Sequence, residues 1–138
     1  MQEYMMKLPV HEDNSDCACG KLVAIESERS APFAIRRVYY IYDVSDAVKR
    51  GAHAHRASNQ LLVTVHGSCT IRLDDGAKRR EFLLDRPDRG LLQPKLVWGE
   101  MTGFTPDTVL MVLSDDYYDA NDYIHDYAEF LQLAGVRA

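Results

Sequence analysis

Long apolar runs are missing from this 138-residue sequence, and no stretch approaches the ~18 residues a membrane-spanning helix needs. The opening MQEYMMKLPVHEDN also lacks the basic-then-apolar layout of a signal peptide, so a cytoplasmic protein with no membrane partner is expected. Positive charge is scarce. Sixteen Lys and Arg stand against 21 Asp and Glu, and the net charge of -5 argues against a nucleic-acid partner, because phosphate backbones select basic faces. A small phosphorylated ligand held by a few local cations stays open. Cysteine is sparse and odd in number: Cys17, Cys19 and Cys69 do not make a disulfide framework. The Cys17-Ala18-Cys19 spacing has no second Cys/His pair nearby to complete four metal ligands, so reduced thiols are expected. Repeats, linkers and low-complexity runs are absent too. With 46% hydrophobic and 27% charged residues, the chain reads as one soluble domain over 1–138.

What is present is a succession of short segments rich in Val, Ile, Leu, Thr and Tyr. Strands are predicted over Leu22–Glu26, Arg37–Tyr42, Gln60–Val65, Cys69–Asp74, Arg80–Leu84, Gly90–Gln93, Val97–Met101 and Val109–Leu113. Turn signals separate them, among them His66-Gly67-Ser68, Asp74-Asp75-Gly76 and Pro87-Asp88-Arg89-Gly90. Many short antiparallel strands at this spacing imply an all-β barrel or sandwich. The tail differs. Tyr123, Ile124, Tyr127, Phe130, Leu131 and Ala134 follow helical spacing and predict an amphipathic C-terminal α-helix over 119–134, with Asp119 as N-cap and Asp122 in the first turn. Residues 1–19 are expected as a loose lead-in.

His53-Ala54-His55 is the triplet that carries chemistry. Residues two apart on a strand share a face, so both imidazoles would project into one cavity, where they can ligate a metal or handle protons. Gly51 precedes the pair, Gln60 and Gly67 follow it, and that spacing resembles the first sequence motif of the cupin superfamily. Gln60 stands where a metal-binding Glu usually sits. In the second motif, Pro94-Lys95-Leu96-Val97-Trp98-Gly99, the position expected to carry a His is Gly99. Two histidines alone would leave a divalent metal half-coordinated, so they are read as acid/base groups with no metal.

Five stretches together resemble the sugar 3,4-ketoisomerases: RVYYIYD (37–43), RGAHAH (50–55), VHGSCTIRLDDG (65–76), GLLQPKLVWGEM (90–101) and VLMVLSDDYYDANDYIHDY (109–127). Members usually read Trp-His-Glu-Met where this chain has Trp98-Gly99-Glu100-Met101. The resemblance covers about Gly20 to Leu131. It implies a cupin-type jelly-roll barrel, a cofactor-free homodimer with exchanged N-terminal strands, and action on a dTDP-linked 4-keto-6-deoxyhexose. It also maps the catalytic histidines onto His53 and His55.

Moving a carbonyl from carbon 4 to carbon 3 means removing the carbon 3 proton, passing through an enediolate and reprotonating carbon 4. Two adjacent imidazoles meet these needs without a metal, and such acid–base catalysis contributes about a hundred- to ten-thousand-fold. Tyr39 is the candidate to hold the oxygen that becomes charged. The diphosphate needs cations: Arg50 and Arg37 first, then Arg72 and Lys95. Gln60 is a further candidate contact, and Trp98 could stack on thymine. His11, His66 and His125 are given no role. A sugar-nucleotide 3,5-epimerase, a metal-dependent cupin and a non-catalytic sugar-nucleotide binding module are the alternatives.

Overall fold

A computed structural model describes residues 3–12 and 20–135. The Cys17-Ala18-Cys19 stretch therefore lies outside the described residues. In chain order the strands are β1 (Met5–Lys7), β2 (Val10–Glu12), β3 (Lys21–Val23), β4 (Arg37–Tyr42), β5 (Arg50–His55) and β6 (Gln60–His66). There follow β7 (Cys69–Asp74), β8 (Arg79–Leu84), β9 (Arg89–Gln93), β10 (Trp98–Thr102), β11 (Val109–Ser114) and β12 (Tyr123–Ile124), then a helix α1 (Tyr127–Gly135). Two five-stranded antiparallel sheets face each other, β1-β9-β6-β11-β4 and β12-β5-β10-β7-β8, the jelly-roll arrangement that the cupin resemblance implied.

Alternation explains the core. On β7, Cys69, Ile71 and Leu73 are buried while Arg72 is exposed. With Leu62, Leu91, Leu110 and Val112 from the facing sheet, they fill the space between the layers. The first sheet is apolar on its outer side as well: Leu61, Val63 and Leu113 are buried there beneath Leu8, Ala31 and the neighbouring Val23, Ile25, Phe33 and Ile35. The N-terminal residues are thus tied down where the structure describes them, β1 on β9 and β2 on β3. At the β6–β7 turn Gly67 has φ 75°, and a Cβ there would sit 2.5 Å from Thr108 Oγ1, so both backbone and space require glycine.

The tail departs from the predicted helix. Ala120–Asp122 is a single 3₁₀ turn, Tyr123 and Ile124 pair with His55 and Ala54 as β12, and the α-helix begins only at Tyr127. The physical reason lies in two aspartates. Asp122 spends its carboxylate on Ala57 N–H, Ser58 and His55, which holds it outside any helix. Asp126 accepts from Ala128 N–H and so caps the helix where it actually starts. Asp119 caps the 3₁₀ turn instead, through Asn121 N–H. Phe130 and Ala134 pack α1 against Ala54, Trp98 and Ile124 on the outside of the second sheet.

Candidate active site

One row of the barrel interior is polar from strand to strand. Arg37 of β4 lies opposite Ser114 of β11, Ser114 opposite Gln60 of β6, and Gln60 opposite Gln93 of β9. The next row inward, Tyr39, Val112, Leu62 and Leu91, belongs to the apolar core. Hydrogen bonds lock the polar row. Gln60 Nε2 donates to Ser58 Oγ and Ser114 Oγ, and Gln60 Oε1 accepts from the Tyr39 hydroxyl at 3.3 Å. Arg37 lies against the rings of Tyr39 and Tyr118. Its Nε is the one wholly buried side-chain polar atom without a partner among the described residues. A buried donor in that state costs free energy unless a ligand satisfies it.

The second sheet supplies the imidazoles. Gly51 (φ 78°) and Ala52 (φ 56°) are both left-handed, and the β5–β10 register shifts beside them. The resulting bulge sets the face that the following residues present. His53 and His55 come out on one face with ring centroids 4.9 Å apart, edge to face, as the His-x-His spacing required. His55 is buried, and its Nδ1 lies 3.1 Å from Asp122. Because a carboxylate only accepts, Nδ1 carries the proton and Nε2 is left to act.

Electrostatics keep the pair neutral. Burial, with His55 close by, pulls the His53 pKa from 6.5 to about 4. Burial lowers that of His55 as well, against the opposing pull of Asp122. Burial alone would raise the Asp122 carboxyl, yet Ser58, Ala57 N–H and His55 together hold it below the usual carboxylate range. The Tyr39 hydroxyl is pushed up to about 12 by burial and by Tyr123, so it stays protonated at neutral pH.

The sequence candidates fall into two groups. His53, His55, Tyr39, Gln60 and Arg37 meet at the polar end of the barrel, and Arg50 is close enough to act on both His53 and Tyr39. Arg72 faces outward and pairs with Glu81 and Glu100. Trp98 also faces outward, donating to Glu100 and packing on Tyr127 and Phe130, away from the imidazoles. Lys95 is exposed on the β9–β10 turn, its backbone N–H held by Asn59. Three residues without a sequence assignment join the site: Asp122, Tyr123 and His125. The His125 ring stacks on Tyr123 and stands 5.9 Å from His53. Its position six residues after the turn-capping Asp119 gave no hint of this.

Of the four ligand positions of the cupin pattern, two hold the imidazoles of His53 and His55, while Gln60 has both ends of its amide engaged and residue 99 has no side chain. A groove of about 870 Å³ lies away from the imidazoles, outside the first sheet, lined by Val10, Val23, Ile25, Val63 and Met111.

Residues 1–135 match the family model described as FdtA, WxcM-like, C-terminal. The chain is 50% identical over 111 residues, 80% of each chain, to the TDP-4-oxo-6-deoxy-alpha-D-glucose-3,4-oxoisomerase of Aneurinibacillus thermoaerophilus. Its structure resembles the 3,4-ketoisomerase of Helicobacter canadensis with a TM-score of 0.88 and 40% identity, over 95% of this chain and 96% of that one. It also resembles a histidine-to-asparagine variant of the 3,4-ketoisomerase of Thermoanaerobacterium thermosaccharolyticum in complex with TDP-4-keto-6-deoxyglucose. There the TM-score is 0.90 at 37% identity, over 96% and 94% of the two chains.

Proposed function

The chain belongs to the FdtA (WxcM-like, C-terminal) family, and from that premise we propose that it shifts the keto group of a TDP-linked 4-keto-6-deoxyhexose from carbon 4 to carbon 3. The observation that carries this reading is the pair of neutral imidazoles, 4.9 Å apart, beside a protonated tyrosine. The ketone acidifies the proton on carbon 3, and a neutral imidazole is base enough to take it. A charge on either ring disfavours a charge on the other, so the pair favours taking up one extra proton at a time. That suits a reaction in which one proton leaves carbon 3 and one arrives at carbon 4, with a further transfer between the two oxygens. His55 is equipped for repeated transfer, since Asp122 steadies its imidazolium and fixes Nε2 as the working nitrogen.

Tyr39 can turn its hydroxyl proton from Gln60 to the enediolate oxygen as charge develops there. Arg37, with its unmet Nε, and Arg50 are the cations placed to receive the sugar nucleotide. Outside the site, Val38, Tyr40 and Tyr42 expose 54%, 65% and 61% of their surface on the edge strand β4. Beside the apolar groove of the same sheet, this supports a homodimer; exchange of N-terminal strands would move β1 from the β9 of its own chain, where it pairs here, to the β9 of the other copy.

The test is His53→Asn and His55→Asn with TDP-4-keto-6-deoxyglucose as substrate. Both variants should lose turnover by about a hundredfold or more while TDP affinity changes little. The variant that also loses exchange of the carbon 3 proton with deuterated solvent identifies the carbon base. Near-normal turnover in both would sink the assignment.

A further inference from the structure

Gly99 is the position where the family pattern places a side chain beside the imidazoles, and the structure accounts for its absence. Gly99 lies opposite His53 on one side and the core residue Leu73 on the other, so a side chain there would point inward, towards the site. Its backbone is not left-handed, and alanine could adopt it without strain. Space is what opposes a larger residue, which would have to push a neighbouring amide aside. A Cβ at position 99 would lie 2.6 Å from Gln93 Nε2 and 2.9 Å from both Gln93 Cδ and Oε1. The whole carboxamide of Gln93 is laid across the Cα of Gly99.

Gln93 closes the polar row Arg37–Ser114–Gln60–Gln93, and its bonding differs from that of Gln60. Nε2 donates to Val97 O at 3.0 Å, which fixes the amide orientation because a carbonyl oxygen accepts only donors. Oε1 has no hydrogen-bond partner among the described residues. Nor is it sealed in the core, since the wholly buried unpartnered atom there is Arg37 Nε.

We infer that Gln93 supplies the side chain at this point of the site in place of residue 99, and that its Oε1 accepts a hydrogen bond from a ring hydroxyl of the bound hexose beside His53. With Nε2 committed, the amide offers the sugar an acceptor alone, which suits a hydroxyl and rejects a ketone. Gly99 is then a condition of this contact. The inference rests on the proposed sugar-nucleotide reading of the site.

A double-mutant cycle tests it with TDP-4-keto-6-deoxyglucose. Gly99→Ala should lower kcat/KM about tenfold by displacing the amide, and Gln93→Ala should lower it to a similar degree. The double variant should be no worse than Gln93→Ala, since alanine at 99 then has nothing left to displace. Losses that multiply would overturn the inference. Gln93→Met separates contact from space-filling, because it keeps the volume and removes the acceptor. It should lose kcat/KM about tenfold with TDP affinity unchanged and a melting temperature lowered only by the lost Nε2–Val97 O bond. Full activity in Gln93→Met would overturn the inference even if Gly99→Ala did not fold. Absence of turnover in the wild-type protein would overturn the proposed function and this contact with it. Wild-type turnover with a multiplicative cycle would overturn the contact alone.

Discussion

Asp122 touches His55 through Nδ1, on the far side of the ring from the working nitrogen, so its replacement separates positioning from chemistry. Asp122→Asn keeps the size but can present an amide N–H where the carboxylate accepted, and it no longer supports the imidazolium. Turnover should fall about ten- to a hundredfold. The acid limb of the pH–rate profile should move further down, because Asp122 opposes the burial that depresses His55. An unshifted limb would mean that Asp122 serves only the fold. His53 makes a second claim at this scale. The unfolded chain takes up a proton near pH 6.5, whereas folded His53 refuses it until about pH 4. Stability is therefore complete above 6.5 and is lost as pH falls across that window. Melting temperature should decline from pH 6.5 towards 4, and His53→Asn should flatten that decline. The two histidines were legible in the sequence because strand periodicity alone puts them on one face. Asp122 and His125 were not, since only the packed tail brings them within reach of β5.

From β6 to β11 the strands were read closely, because their apolar alternation and turn signals such as Asp75-Gly76 are local. By contrast, β1 and β2 were not predicted, and β3 ends at Val23 instead of Glu26. β7 and β4 begin and end where the pattern says. The helix start was misread because Tyr123 and Ile124 satisfy helical spacing equally well as a strand followed by a cap, and only the ladder to β5 decides. Arg72 and Trp98 show the matching weakness for sites: a one-residue change in parity moves a side chain from the interior to the outer face. β5 makes the element-scale prediction. Gly51 is left-handed, and a Cβ there would come within 3.0 Å of Gly99 O, a backbone atom that cannot rotate away. Gly51→Ala should cost ~1–3 kcal/mol and re-aim His53, so activity should fall before the fold is lost. Calorimetry beside a turnover assay reads both, and wild-type values in each would show that the bulge is incidental.

At the scale of the molecule, the exposed tyrosine stripe of β4 calls for cover. Light scattering at micromolar concentration should give a mass near twice 15.7 kDa. Tyr40→Asp should shift it towards the monomer, and a clean wild-type monomer would remove the proposed dimer. Composition argued against a nucleic-acid partner and held no long apolar run, but it carried no information about which face of β4 would be left bare.

The bond from His55 to Asp122 joins positions 67 residues apart, and that between Arg37 and Ser114 joins positions 77 apart. Closing spans of this length is slow compared with forming a hairpin such as β7–β8, so the site is among the last parts of the chain to take shape. A nascent chain still short of residue 122 already holds both histidines and the core strands, yet it lacks the carboxylate that fixes the tautomer. Catalysis thus becomes available only once Asp122 has been made and has packed against His55, and a refolding experiment should recover β-sheet signal before it recovers turnover.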